Sequence, residues 1–305
     1  MTDNRQNPVV ILGAEGMLGR QMYSYAKQMW KNAVIGTTRN KNNLSKNCLQ
    51  YFTAKEAENN LDNILKKLNT NSINIINCIG LLRKSENEML SNYQDYALVN
   101  GYLPQFLAQF SLKTNSDLIH FSTDAVFPKQ AGNVLEAVFP NPEDLYGYSK
   151  LLGEVGNHNA LTIRTSPIGF DPINKRGLLE WLLDQTKSPA AIQGYTQQSW
   201  SGSTSLQCAE FVFDKLLQLS NFKLFKSTKY LLHFAPLGPF SKYELLQAFI
   251  EVLNLSITLE KETNTIQTRY LQTSYKDLYT NLNTKDDLRN EIQKLIKIEK
   301  EHYEN

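Results

Sequence analysis

Apolar runs of membrane length are missing from this chain of 305 residues. No stretch approaches the roughly 18 apolar residues that a bilayer span requires, so membrane insertion is not expected. Residues 1–8 are polar and lack the basic-then-apolar layout of a secretory leader. Cysteine is scarce: Cys48, Cys78 and Cys208 lie far apart and are odd in number. That excludes a disulfide framework or a CxxC metal site, and implies three reduced thiols in a cytoplasmic protein. A surplus of positive charge is also lacking. Lys+Arg at 32 against Asp+Glu at 30 leave a net charge of +2, too little and too scattered to suggest a nucleic-acid partner. There is no internal repeat, and low complexity is confined to the Asn/Lys-rich loop 40–47. What is present, 41% hydrophobic and 20% charged residues, suffices to build a core.

The length suggests two domains at about 150 residues each. Val9-Val10-Ile11-Leu12 is a short, β-branched apolar run suited to a strand buried on both faces. It enters Gly13-Ala14-Glu15-Gly16-Met17-Leu18-Gly19 and then a helical pattern through Met22, Tyr25, Ala26 and Met29. A second short strand, Ala33-Val34-Ile35-Gly36, completes a right-handed βαβ unit. Strands over 73–79, 117–122 and 161–164 alternate with helices over 96–110 and 146–156. This predicts an α/β fold of Rossmann type, with a doubly wound parallel sheet. The alternation lapses near residue 170. The expected division is therefore a first domain over 1–169 and a smaller α/β substrate-binding domain over 170–305. The helix over 206–219 and the strand over 230–235 are candidates to rejoin the first sheet. Ser241 with Glu244, ahead of a helix to 253, has a capping-box pattern. The last helix opens at Thr284 with Asp287 three residues on.

Gly13, Gly16 and Gly19 have the spacing GxxGxxG between a strand and a helix. Glycine serves there for a tight turn, for close approach of backbone N–H groups to a pyrophosphate, and for helix-on-strand packing. The helix N-terminus behind the turn offers unpaired N–H groups and a positive dipole end. After the second strand the chain reads Gly36-Thr37-Thr38-Arg39, with no carboxylate for a ribose 2′-hydroxyl. The Arg39 guanidinium suits a 2′-phosphate, which points to NADPH over NADH; the other reading of Arg39 is a solvated loop cation.

Tyr146 and Lys150 stand four apart, on one helix face. A neighbouring ammonium favours the phenolate and brings a tyrosine toward working pH. Elsewhere such a pair is merely a surface feature. Here Phe121-Ser122-Thr123-Asp124 ends a strand at the carboxyl edge of the sheet, where open α/β sheets bind ligands. Thr123 is placed to hydrogen-bond a substrate carbonyl whose proton Tyr146 supplies, and Lys150 to hold ribose hydroxyls.

GxxGxxG, the Ser/Thr pair before the tyrosine and YxxxK, in this order, resemble the extended short-chain dehydrogenase/reductases. More narrowly, GAEGMLG (13–19), STDAVF (122–127) and YGYSKLLGE (146–154) resemble the dTDP-4-dehydrorhamnose reductase branch. Val99-Asn100, Leu103-Pro104 and Ile163-Arg164-Thr165-Ser166 fit the same pattern, and 199–206 is a weaker echo. The resemblance implies an NAD(P)-dependent oxidoreductase that reduces a 4-keto-6-deoxy nucleotide sugar for surface-polysaccharide synthesis, as a monomer or a homodimer. It makes Thr123, Tyr146 and Lys150 the catalytic trio. Gly13, Gly16, Met17, Leu18 and Gly19 would line the pyrophosphate, and Thr38 with Arg39 the adenosine ribose. Cys78, Ile79, Gly80 and Asn100 would flank the cofactor. The rival readings are a nucleotide-sugar epimerase or epimerase/reductase, and a non-catalytic NADP-binding regulatory subunit.

Departures from the pattern are informative. The related 4,6-dehydratases carry an Asp-Glu pair after the threonine, whereas this chain has Asp124-Ala125, which favours carbonyl reduction. Pro167 stands where the branch often has an aromatic, and no acid follows the third strand in Tyr51-Phe52-Thr53-Ala54. Asp124, Arg176 and Trp200 are the candidate substrate contacts. Arg176 has the alternative of a solvated cation, and Trp200 that of a loop anchor. His120, on an apolar strand, is read as a core histidine, and Tyr93 and Tyr96 as packing. Cys78 has no evident activating base and is not read as a nucleophile.

Overall fold

The computed structural model describes residues 7–30, 33–43, 49–188, 190–219 and 222–303. Cys48, residues 44–47 of the Asn/Lys-rich loop and residues 1–6 lie outside the described residues. In chain order the regular elements begin with β1 (Val9–Leu12), α1 (Met17–Met29), β2 (Val34–Thr38), β3 (Gln50–Tyr51), α2 (Ala57–Leu68) and β4 (Asn74–Asn77). Next come α3 (Glu86–Ser91), α4 (Tyr93–Tyr96), α5 (Leu103–Thr114), β5 (Asp117–Thr123), β6 (Asn133–Val134), α6 (Leu145–Leu152), β7 (Ala160–Thr165) and β8 (Pro167–Ile168). The remainder are α7 (Leu178–Gln185), β9 (Ile192–Tyr195), β10 (Ser199–Thr204), α8 (Ser205–Asp214), β11 (Leu231–His233), β12 (Leu237–Ser241), α9 (Lys242–Leu253), β13 (Leu259–Glu262), β14 (Tyr270–Leu271) and α10 (Lys285–Tyr303).

Seven strands form one sheet in the order β11-β7-β5-β4-β1-β2-β3, and every pairing in it is parallel. The strands β1, β4, β5 and β7 are buried along their whole length. Helices cover both faces, as an all-parallel sheet requires. One apolar layer sets α1 and α8 against the sheet through Met22, Ala26, Phe211 and Val212. The opposite layer brings Leu61 and Ile64 of α2 and Leu103 and Leu107 of α5 against Val10, Ile75 and Leu118. Strand order reverses between β1 and β4, and ligands of open α/β sheets bind at such a switch point.

A third apolar cluster, with Leu179, Leu182, Trp200, Leu245, Phe249, Leu288 and Ile292, joins α7, α9 and α10. It packs around the small sheet β12-β10-β8 and the parallel pair β13-β9. The chain crosses between the two regions more than once: β11 is the edge strand of the large sheet, and β6 pairs with β14 from far downstream. The capping boxes at Ser241 and Thr284 form as the sequence suggests, with Glu244 and Asp287 closing them. No helix among the described residues is long and apolar enough to cross a membrane.

Several element boundaries differ from the sequence expectation, among them those of the strands expected over 73–79 and 230–235, which span Asn74–Asn77 and Leu231–His233. The helix expected over 206–219 ends at Asp214, and a short 3-10 turn, Leu216–Gln218, follows. That turn buries Leu216 and Leu217. The helix expected over 96–110 contains a π segment, Ala97–Tyr102, that carries Asn100. The helix with the tyrosine stops at Leu152, and its C-cap Gly153 lies against the Asn100 backbone carbonyl oxygen, 1.9 Å from where a Cβ would sit.

The glycine turn shows the same economy of space. A Cβ on Gly19 would fall 2.1 Å from the Gly13 carbonyl oxygen, whereas one on Gly16 would meet nothing nearer than 3.6 Å. Gly19→Ala is expected to lower unfolding free energy by about 1–3 kcal/mol through overpacking, and Gly16→Ala to change it by much less. Urea unfolding of both variants checks the difference.

Candidate active site

A cleft of about 940 Å³ opens at the carboxyl ends of β1, β2, β4, β5 and β7. That is ample for a dinucleotide beside a second ligand. Gly13 has φ +80°, and a Cβ there would press on Ile79 at 3.0 Å. Its N–H donates to the Thr37 hydroxyl at 3.1 Å, pinning the turn to β2. The N-cap of α1 is Gly16, without a side-chain cap. The first N–H groups of the helix are therefore left for a ligand, and the dipole there favours an anion. This turn fits a pyrophosphate by close backbone approach and by charge.

Gly13, Gly16, Met17, Leu18, Thr38, Arg39, Cys78, Ile79, Gly80, Thr123, Tyr146, Lys150, Arg176 and Trp200 all line this one cleft. Three of the expected residues do not line it. Gly19 works from behind, as packing under Gly13. Asn100 is fully buried: its side-chain Oδ1 accepts from the Leu81 N–H at 2.8 Å, and its Nδ2 donates to the Ser149 hydroxyl at 3.0 Å. It ties the segment after β4 to α6. Asp124 is held by Arg269, whose Nε donates to its carboxylate at 2.9 Å, and it also accepts from the Thr123 hydroxyl at 3.2 Å.

The adenosine end holds an acid that does not follow from strand-end reading. Glu15, inside the glycine turn, accepts a hydrogen bond from the Thr38 hydroxyl through its carboxylate. A carboxylate thus stands at the end of β2 although β2 itself contributes none, and Arg39 is exposed beside it. The signal was its position between the first two glycines.

Thr123 closes β5, and Tyr146 lies in the first turn of α6, whose N-cap Asp144 accepts from the Gly147 N–H at 2.8 Å. Lys150 is buried, and its Nζ donates to the Phe121 carbonyl at 2.7 Å. Burial lowers its pKa to about 8, against the opposing pull of the Glu154 carboxylate. Burial pushes the Tyr146 phenol up to about 12; the Thr123 hydroxyl and the Arg83 guanidinium pull it down, while Asp124 and Asp144 push it further. The Lys150 ammonium is bonded to the β5 carbonyl at the floor of the cleft, and the Arg83 guanidinium stands 5.5 Å from the centroid of the Tyr146 ring.

Behind the trio runs a buried network. Arg164 grips Glu154 with two bonds, from Nε at 2.7 Å and from Nη2 at 2.6 Å. The Ser122 hydroxyl donates to Glu154 at 2.8 Å, and Arg164 reaches His233 at 3.2 Å. His120 is fully buried against Asn77 at 3.0 Å, and burial holds its imidazole well below the usual range, as befits a core histidine. Tyr96 is buried and donates to the Leu82 carbonyl, whereas Tyr93 is exposed. Burial raises the Cys78 thiol, which keeps it neutral. No cluster of metal-ligating side chains occurs among the described residues.

Opposite the trio, Trp181, Gln193, Tyr195, Lys242 and Leu246 also line the cleft. They come from α7, β9 and α9, where no motif marks them. Trp200 is 7% exposed, donates from its indole N–H to the Ser166 hydroxyl at 3.1 Å as a loop anchor would, and also lines the cleft.

The buried ammonium makes a testable demand. The native state disfavours charged Lys150, so the unfolded chain binds more protons between pH 8 and 10.5, and stability from this group rises across that window. Lys150→Met is expected to be more stable than the parent by about 2 kcal/mol at pH 7, the lost Phe121 hydrogen bond included. The gain should vanish between about pH 8 and 10.5 in urea titrations.

The family described as RmlD substrate binding domain matches residues 7–300. No curated protein matches the chain. Among solved structures, dTDP-4-dehydrorhamnose reductase from Bacillus anthracis, in complex with NADP, is similar with a TM-score of 0.73 at 18% identity, covering 95% of this chain and 98% of that one. The dTDP-4-dehydrorhamnose reductase from Yersinia enterocolitica gives 0.69 at 18%, covering 94% and 99%. UDP-glucuronic acid 4-epimerase from Bacillus cereus gives 0.67 at 15%, covering 96% and 98%. These likenesses establish a shared fold, and the match over residues 7–300 establishes that the chain belongs to the RmlD substrate binding domain family.

Proposed function

We propose that this protein is an NADPH-dependent reductase of a 4-keto-6-deoxy nucleotide sugar, like the dTDP-4-dehydrorhamnose reductases it resembles in fold. The observation that carries the reading is the joining of a pyrophosphate-type glycine turn and the Thr123, Tyr146 and Lys150 side chains in one cleft. NADPH brings to such a cleft a hydride for the carbonyl carbon. Tyr146 gives its proton to the carbonyl oxygen, and the Thr123 hydroxyl donates a hydrogen bond to the same oxygen. Lys150, one helical turn along, faces the end of β4: a Cβ on Gly80 would lie 3.7 Å from its Nζ. There it holds ribose hydroxyls. The far wall, with Trp181, Tyr195, Arg176 and Lys242, takes the nucleotide, its cations facing the diphosphate.

The rival chemistries fit less well. Elimination needs an acid free at the position after the threonine, and Asp124 is tied to Arg269. A non-catalytic binding protein has no use for a buried ammonium beside a tyrosine and a threonine. In the same reading, residues 1–169 with about 205–235 form the cofactor unit and the rest the substrate unit. The enzyme works in the cytoplasm and supplies sugar for surface polysaccharide.

Tyr146→Phe is expected to lower kcat by 10²–10⁴ while NADPH still binds, as read by nicotinamide fluorescence. Full activity in this variant refutes the acid role. Arg39→Ala is expected to weaken NADPH binding about tenfold and NADH binding less than about twofold, because only NADPH has the 2′-phosphate. Titration calorimetry with both cofactors checks this.

A further inference from the structure

The second strand ends without an acid, yet an acid from elsewhere stands beside its end. Glu15 belongs to the glycine turn. Two bonds that spare its side chain already fasten that turn to β2. The Gly13 N–H donates to the Thr37 hydroxyl at 3.1 Å, and the Ala14 N–H to the Thr37 carbonyl at 2.9 Å. The Glu15 carboxylate adds a third link by accepting from the Thr38 hydroxyl. Thr38 is buried, and its hydroxyl oxygen accepts the Asn40 N–H at 2.9 Å, so its own proton is directed to Glu15. The Glu15 backbone is held from the other side. Asn174, in the loop before α7, donates from its amide to the Glu15 carbonyl at 3.1 Å and to the Asp171 carboxylate at 2.9 Å. Glu15 and Thr38 line the cleft together with Arg39 and, beyond β3, Lys55.

We propose that Glu15 is a specificity-determining residue: it supplies from the glycine turn the ribose-facing carboxylate that β2 lacks, and so narrows the preference for NADPH that Arg39 confers. This rests on the reading of the cleft as a dinucleotide site. A carboxylate at the end of the second strand accepts a hydrogen bond from a free ribose 2′-hydroxyl. It has about four acceptor positions, enough for Thr38 and a ribose hydroxyl together. A 2′-phosphate reverses the balance, because it brings a charge of about −1.5 to −2 at neutral pH to the same place. NADH therefore gains from Glu15, and NADPH is opposed by it.

The geometry favours this role over a purely structural one. The turn needs no carboxylate to stay on β2, since the two backbone donors do that work. Glu15 is half-buried, and the bond from the buried Thr38 holds its carboxylate over the strand end. Arg39, the next residue after Thr38, is exposed and lines the cleft, as is Lys55 beyond the neighbouring strand. Groups of opposite sign thus stand at the end of β2. The hydroxyl of one cofactor finds an acceptor there, and the phosphate of the other finds a cation with an acid beside it.

The test uses this opposition of sign and needs no turnover. Titration calorimetry gives Kd for NADPH and for NADH on the full chain, without substrate. Glu15→Gln keeps the size of the side chain and an acceptor for Thr38 but removes the charge. It is expected to tighten NADPH about 3–10-fold by relieving repulsion, and to weaken NADH by about the same factor by replacing a charge-assisted bond with a neutral one. The ratio of the two Kd values should therefore move by about 10-fold or more. Glu15→Asp, which keeps the charge, should leave the ratio nearer to the parent than to Glu15→Gln. A merely structural carboxylate weakens both cofactors together. That result, a ratio changed by less than about threefold in Glu15→Gln, or an Asp variant that matches the Gln variant overturns the proposal. Should Glu15→Gln fail to fold, Glu15→Ala is required to show the same opposite signs. If the wild type binds both cofactors yet reduces no keto-sugar nucleotide, the proposed activity falls and the Glu15 result is judged on binding alone. If it binds neither, both readings fall.

Discussion

The clamp between Glu154 and Arg164 is the interaction on which the rest of the site depends. Glu154 lies just beyond α6, and Arg164 lies on β7, so their two short bonds fasten the tyrosine helix to the strand beside β5 in the sheet. Taking both charges out of water is costly. The geometry repays that cost only because each partner is further satisfied, Glu154 by Ser122 and Arg164 by His233 and the face of Phe127 at 4.8 Å. Removing either partner alone would leave a buried charge, at about 3–5 kcal/mol. The clamp thus aligns Tyr146 and Lys150 with Thr123 on the neighbouring strand, and it does so from the side away from the ligands.

A second constraint acts through space alone. Backbone meets backbone at Gly19 on Gly13, at Gly153 on Asn100 and at Gly147 on Ala125, each at a distance that no Cβ tolerates. The first of these brings α1 down on the phosphate turn. The other two seat α6 between the end of β5 and the π segment before α5. Such π segments gather at functional sites, and here it lets Asn100 bind both the loop after β4 and Ser149 of α6. The two helices that matter for chemistry are thereby positioned by absent side chains as much as by present ones.

Charge is handled locally. The chain as a whole carries +2, yet three acids behind the cleft are each paired with an arginine: Asp124 with Arg269, Asp144 with Arg83, Glu154 with Arg164. The cleft wall itself offers the start of α1, Arg39 and Arg176 to an anion. An anionic cofactor and an anionic substrate need no more than this, because a few placed donors in a partly desolvated cleft outweigh a diffuse surplus.

The local pattern of the chain was enough for the parallel sheet, the glycine turn and the trio. Strand–turn–helix alternation and the four-residue spacing of Tyr146 and Lys150 are properties of short segments, whose period and sterics are written in the sequence itself. The far wall of the cleft was not legible. Trp181, Tyr195 and Lys242 come from separate elements with no shared spacing, and only the folding of α7, β9 and α9 over the sheet brings them to one surface. The same holds for pairs distant along the chain, Asp124 with Arg269 and Tyr146 with Arg83. The sequence shows that a tyrosine and a lysine share a helix face. Where each long side chain finds its carbonyl or carboxylate is settled only when the strands and loops around it are in place.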